Sequence, residues 1–132
     1  MVFRIASIVL RVCGALALIL GLLFWSGNAL GLIPIHILLG ILVVLSLWVI
    51  GVGQALSRGG SWPIAAGALV LGLLLIVIGM TQSSLMAGSF HWVIQVIHLL
   101  LGVLAVGLGQ ISAARARNGA AIREEQPSRA TY

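Results

Sequence analysis

The sequence predicts an all-α integral membrane protein, an up-down-up-down bundle of four helices. Three observations carry that prediction. Hydrophobic residues make up 61% of the 132 residues and charged residues only 7%, with a mean hydropathy of +1.24. A soluble domain carries roughly 25% charged residues and could not hide this much apolar surface from water. The seven basic residues, all arginines, are Arg4, Arg11, Arg58, Arg115, Arg117, Arg123 and Arg129, and the only acids are Glu124 and Glu125. No charge falls between Arg11 and Arg58 or between Arg58 and Arg115, so the arginines punctuate apolar runs each long enough for two crossings. That placement is a topology signal, and it excludes the clustered cationic face that a nucleic-acid partner would need.

A hydrocarbon core of ~30 Å takes about 20 helical residues. The first span is expected over 12–30, with Arg11 reaching back to the interface. Arg4 and Arg11 before an apolar run resemble a signal peptide, but the run exceeds a signal core and three more come after it, so a retained anchor is expected. The second span is expected over 35–56, with Pro34 in the first turn, where its missing N–H costs nothing. The third is expected over 63–81 and the fourth over 90–114. Short connections, Gly31 to Pro34, Ser57 to Trp62 and Gln82 to Ser89, make neighbouring helices antiparallel. The four-helix domain is thus residues 1–114, and 115–132 form a polar, weakly ordered cytoplasmic tail.

Orientation is set by the arginines. They lie in the amino end, the Ser57–Trp62 loop and the tail, and the other two loops carry none. Positive charge stays inside, so both termini are expected in the cytoplasm. Trp25, Trp62 and Trp92 lie near span ends, where indoles favour the interface, whereas Trp48 lies deeper and is expected to pack between helices. The lone Cys13 reads as a small buried apolar residue.

The two hairpins resemble one another. Gly14-Ala-Leu recurs as Gly67-Ala-Leu, and Leu20-Gly-Leu-Leu as Leu71-Gly-Leu-Leu. His36-Ile-Leu-Leu-Gly40 matches His98-Leu-Leu-Leu-Gly102, and Gly51-Val-Gly-Gln54 matches Gly107-Leu-Gly-Gln110. A duplicated hairpin would give two parallel repeats about an axis near the membrane normal. The anchors disagree in register: 18 residues separate His36 from Gln54, but 12 separate His98 from Gln110. Aligned on the glutamines, His36 falls opposite Trp92, beside His91.

Polar and small residues share helix faces. His91, Gln95, His98 and Gly102 form one stripe on the fourth helix, and His36, Gly40, Gly51 and Gln54 one on the second. Gly14, Gly21 and Asn28 stand at heptad spacing on the first, with Gly72, Gly79 and Gln82 on the third. Glycines let helices approach closely in lipid, so tight packing is their plain reading.

Ionisable residues inside spans are costly, which makes the histidines candidates for function. At 1.5 Å per residue His98 lies ~25 Å from Arg115, and His36 and His91 lie ~33–36 Å from their cytoplasmic arginines. All three gather in the outward half. Two histidines on facing helices are what a b-type haem needs, and neutral imidazoles supply the iron bonds. On this reading His36 and His98 are the ligands, Gly40 and Gly102 leave room for the macrocycle, and His91 or Gln95 meets a propionate or a quinone. If His36 instead pairs with His91, the site is interfacial and suits a metal ion. Without carboxylate or thiolate the histidines make a poor closed zinc site. The plain alternative is hydrogen bonding across helices and to Gln95.

No catalytic residues are identified. No span holds an acid, and there is no phosphate loop, no Ser-His-Asp set and no CxxC, so the chain reads as non-enzymatic. The leading expectation is an accessory or structural partner of a membrane complex, associating with a membrane protein or with itself as a homodimer. The alternatives are bis-histidine haem b electron transfer and a small-solute or metal carrier acting as an oligomer.

The stretches TQSSLMAGSFHWVIQVIHLLLG from Thr81 and IPIHILLGILVVLSLW from Ile33 resemble a family of small uncharacterised bacterial integral membrane proteins. The resemblance covers nearly all of the transmembrane part. It implies four helices and a bacterial inner-membrane location, and it carries no activity or site residue to this chain. The His-Gly pairs are similar in style to membrane b-type cytochromes, an analogy of arrangement and not a family match.

Overall fold

The structure, a computed structural model, describes residues 1–57, 59–85 and 88–129, with side chains through 119. Among the described residues there is no strand. The elements are α1 (Val2–Trp25), a 3₁₀ turn (Leu30–Leu32), α2 (Ile33–Leu56), α3 (Trp62–Thr81) and α4 (His91–Arg129). All four helices are long and apolar enough to cross a membrane.

Helix α1 begins ten residues before the expected first span. Apart from Arg4, Ser7 and Arg11, its first ten residues are apolar, and the two arginines stand two turns apart on one continuous helix. The helix also ends earlier than expected, at Trp25, because Ser26-Gly27-Asn28 stops it. The Ser26 hydroxyl donates to the Leu23 carbonyl at 2.8 Å. The Gly27 N–H donates to Phe24 O, and the Asn28 N–H to Leu23 O, each at 2.9 Å. Gly27 has φ of 75°, the left-handed residue such a Schellman ending requires. Asn28 therefore lies beyond the helix, its amide donating to the Ser26 carbonyl and hydroxyl, and the α1 stripe ends at Gly21. The connection to α2 runs over 26–32, not over Gly31–Pro34.

Pro34 and Pro63 sit in the first turns of α2 and α3, where a missing N–H leaves nothing unpaired. Helix α4 does not stop at 114. Its backbone stays helical to Arg129, so residues 115–129 of the expected tail continue the helix, and 130–132 lie outside the described residues. Alanine, arginine and glutamate, which dominate that stretch, are strong helix formers. Arg58 falls outside the described residues, as do Met86 and Ala87 of the Gln82–Ser89 loop.

Helices α2 and α4 touch each other and each touches both α1 and α3, whereas α1 and α3 do not meet. The bundle is therefore a rhomb with α2 and α4 across its short diagonal. Helix α2 contributes more of the interior than any other helix, including Val43, Val44, Leu47 and Ile50. Leu10, Ala68, Ala105 and Ala113 close on it from the other three helices. Small residues set the distances: a Cβ on Gly51 would stand 2.7 Å from Ala68 Cβ, and one on Gly14 2.7 Å from a Val106 methyl. In a bilayer such contacts would replace the hydrophobic drive that lipid does not supply. The outward faces carry Leu16, Ile19, Leu38, Leu45, Leu73 and Leu104, all exposed. Trp25, Trp62 and Trp92 are exposed as well, whereas Trp48 is half-buried and its indole lies where a Gly72 side chain would stand.

Candidate functional site

The histidine site is built from one residue on each diagonal helix. His36 enters in the first turn of α2, and His98 lies two turns into α4. Their ring centroids are 6.2 Å apart with the planes inclined by 56°. Each ring rests on a glycine of the other helix in its own hairpin. A Cβ on Gly21 of α1 would lie 3.6 Å from His36 Cε1, and one on Gly79 of α3 would lie 2.8 Å from His98 Cε1. The Phe24 ring meets His36 edge-on at 5.4 Å. Both histidine Nδ1 atoms are buried and neither has a hydrogen-bond partner.

This settles which histidines face one another. Measured from the arginines, the sequence separates His36 and His98 by about 8 Å in depth. The structure removes the discrepancy through α1, which serves as a ruler for both diagonal helices. On α2, Gly53 lies against Phe3 and His36 against Gly21. On α4, Gly109 lies against Leu10 and Val106 against Gly14, and Gln110 Oε1 accepts a hydrogen bond from Arg11 Nε at 2.6 Å. The Gly-x-Gly-Gln ends are thus staggered by about two turns, which absorbs the six-residue disagreement, and the histidine ends come out level.

His91 stays outside the pair. It starts α4, seven residues before His98, or about 10 Å along the axis. Gln95 lies one turn from His98 and is half-buried. The alternative pairing of His36 with His91 is not the one the fold makes. Among the described residues there is no group of three or more histidine, cysteine or acidic side chains that could enclose a metal ion. Cys13 is buried and free, and it packs in the core.

Two features bear on what the pair could hold. Metal–imidazole bonds of about 2 Å put the ring centroids of two ligands on opposite sides of one metal roughly 6 Å apart, and the observed spacing is 6.2 Å. One turn beyond each histidine, a Cβ on Gly40 or Gly102 would meet nothing within 4 Å. Those two glycines, unlike Gly14, Gly51, Gly72 and Gly79, are not explained by close helix contact.

Sequence reasoning named the two histidines but neither supporting glycine as their contact, and it missed Phe24. The signal was present in the heptad stripes of α1 and α3, since Gly21 and Gly79 each lie on one. Comparisons with protein-family models, with curated proteins and with solved structures find no match to this chain.

Proposed function

We propose that the chain spans a bilayer as an up-down-up-down bundle and holds a b-type haem between His36 and His98, acting in single-electron transfer. The observation that carries this reading is the pair of level, facing imidazoles, 6.2 Å between centroids, whose Nδ1 atoms have no protein partner. A buried polar atom left unpaired costs about 1–3 kcal/mol, and a ligand shared by the two rings would pair both. Either ring nitrogen can bind iron. A Cβ on Gly40 or Gly102, one turn from each ligand, would meet nothing within 4 Å, and Gly21 and Gly79 lie against the rings. Iron bound there would cycle between ferric and ferrous states.

The rhomb supports the duplicated hairpin as well. Exchanging α1 with α3 and α2 with α4 leaves the set of touching helices unchanged, as a pseudo-two-fold axis between α2 and α4 would require. The arginines gathered at one end of the bundle favour a cytoplasmic side for that end and for both termini. A bacterial inner membrane is the location that the sequence resemblance favours.

The test is spectroscopic. Protein purified in mild detergent from haem-supplemented cells should show a Soret band and sharp α and β bands on dithionite reduction. His36→Ala and His98→Ala should each abolish the bis-histidine spectrum, and His91→Ala should leave it intact. A colourless protein that also fails to take up added haemin overturns the assignment.

One observation favours a second reading. The His98 ring fits so closely over Gly79 that the histidines could serve as packing pieces of an accessory subunit in a membrane complex. A colourless protein that co-purifies with a membrane partner or as a homodimer supports that role.

A further inference from the structure

The arginine end of the bundle holds a second feature, independent of the histidines. A cavity of ≈ 990 Å³ opens there between the start of α1, the end of α2 and the distal part of α4. Its walls include Arg4, Arg11 and Arg117 together with Ser7, Ser57 and Phe3. Among the described side chains there is no carboxylate to neutralise those three cations. Arg11 is held in place by donating through Nε to Gln110 Oε1 at 2.6 Å. Ser7 donates to the same oxygen at 3.3 Å, while the Gln110 amide nitrogen is buried without a partner. The guanidinium is thus fixed by one of its nitrogens, with its remaining donors unassigned.

Three arginines, two hydroxyls and an apolar flank of Phe3, Ile8 and Leu56 form a mixed site at the level where an apolar helix bundle meets water. Guanidinium groups pair with phosphate oxygens through two parallel hydrogen bonds. Apolar walls beside them suit the first carbons of an acyl chain and would give a soluble anion nothing. We infer that this cavity binds the headgroup of an anionic phospholipid, phosphate against the arginines and glycerol backbone against Phe3 and Leu56. Each arginine near an anionic headgroup contributes about fivefold, so three give a preference on the order of 100-fold over a zwitterionic lipid.

The experiment uses the full chain in nanodiscs of phosphatidylcholine mixed with phosphatidylglycerol, released into the gas phase for native mass spectrometry. The expected result is retained phosphatidylglycerol, enriched well beyond its share of the bilayer. Arg4→Gln with Arg117→Gln, which leaves the Arg11–Gln110 bond intact, should cut the enrichment about 30-fold. The charge-keeping pair Arg4→Lys and Arg117→Lys should keep most of it, and Arg115→Gln, outside the cavity, should change it little. Equal retention of both lipids by the wild-type chain overturns the proposal, and so does undiminished enrichment in a folded Gln pair. Inorganic phosphate that displaces the lipid at millimolar concentration also overturns it, by assigning the site to a soluble anion.

Discussion

Replacing Gly79 by alanine tests whether the bundle positions the histidine pair as described. The added Cβ would lie 2.8 Å from His98 Cε1 and 3.6 Å from each ring nitrogen. Ordinary contact begins near 3.4 Å, so the ring must retreat by about 0.6 Å. Overpacking of this kind costs about 1–3 kcal/mol. Alanine in place of glycine within a helix returns up to about 1 kcal/mol. The net expectation is a loss of about 1–2 kcal/mol, a fall of several degrees in Tm for a chain of this length. Gly21→Ala is the matched control. Its Cβ would meet His36 Cε1 at 3.6 Å, which is ordinary contact, so that variant should be neutral or slightly stabilised. Tryptophan fluorescence during thermal unfolding in detergent measures both. A double-mutant cycle isolates the contact: in a His98→Ala background Gly79→Ala should lose its penalty, giving a coupling of about 1–3 kcal/mol. If Gly79→Ala costs as much without the imidazole as with it, His98 does not rest on Gly79 and the site geometry is wrong.

The packing of the interior supplies the remaining predictions. Gly72→Ala should destabilise more than Gly79→Ala, because its Cβ collides with the Trp48 indole and stands 2.9 Å from a Val44 methyl; a shifted Trp emission maximum should accompany the lower Tm. Leu47→Ala removes a fully buried side chain and should cost about 2 kcal/mol, since in lipid the lost van der Waals contacts remain a penalty while the transfer term largely disappears. Cys13 is buried in the core, so a maleimide should label it slowly in mild detergent and rapidly in sodium dodecyl sulfate; equal rates would contradict its placement.

The helices were legible because their signal is large. Apolar runs of span length, Pro34, Pro63 and the gaps between arginines place four helices with little help from packing. What the sequence hid was governed by competing local signals. Arg4 and Arg11 read as flanks of a span, although they ride on the helix itself, since an arginine stem costs a helix nothing. Ser26-Gly27-Asn28 is stop chemistry embedded in an apolar run, outvoted in a hydropathy reading by Leu30 and Leu32. The histidine site was half legible. Residue type singled out His36 and His98, but their depths were counted along two helices whose Gly-x-Gly-Gln ends are staggered. Only contacts of Gly53 with Phe3 and of Gly109 with Leu10 reveal that stagger. Ser7 carried a fainter signal, one turn from Arg11 on α1, which becomes informative only once Gln110 is seen against both.

The two ends of the bundle are packed differently, and that difference explains how a pair of polar rings can be held in an apolar interior. The largest fully buried side chains, Leu10, Leu47, Ile50, Val44 and Ser112, gather in the half that carries the arginines. Around the histidines few residues are fully buried, and Gly40 and Gly102 face open space. Interiors packed at crystal-like density resist sliding, so the tight half fixes the axial register of α2 against α4. With the register fixed, the loose half need not be filled by protein for His36 and His98 to remain level. A uniformly tight bundle would leave no room beside the imidazoles, and a uniformly loose one would let them drift by a fraction of a turn. A tightly packed half that fixes the register is therefore the feature on which any ligand between the two histidines would depend. Loosening the clamp, as Leu47→Ala does, should weaken any such ligand from roughly 16 Å away, the distance from Leu47 to His36 along α2 at the helical rise.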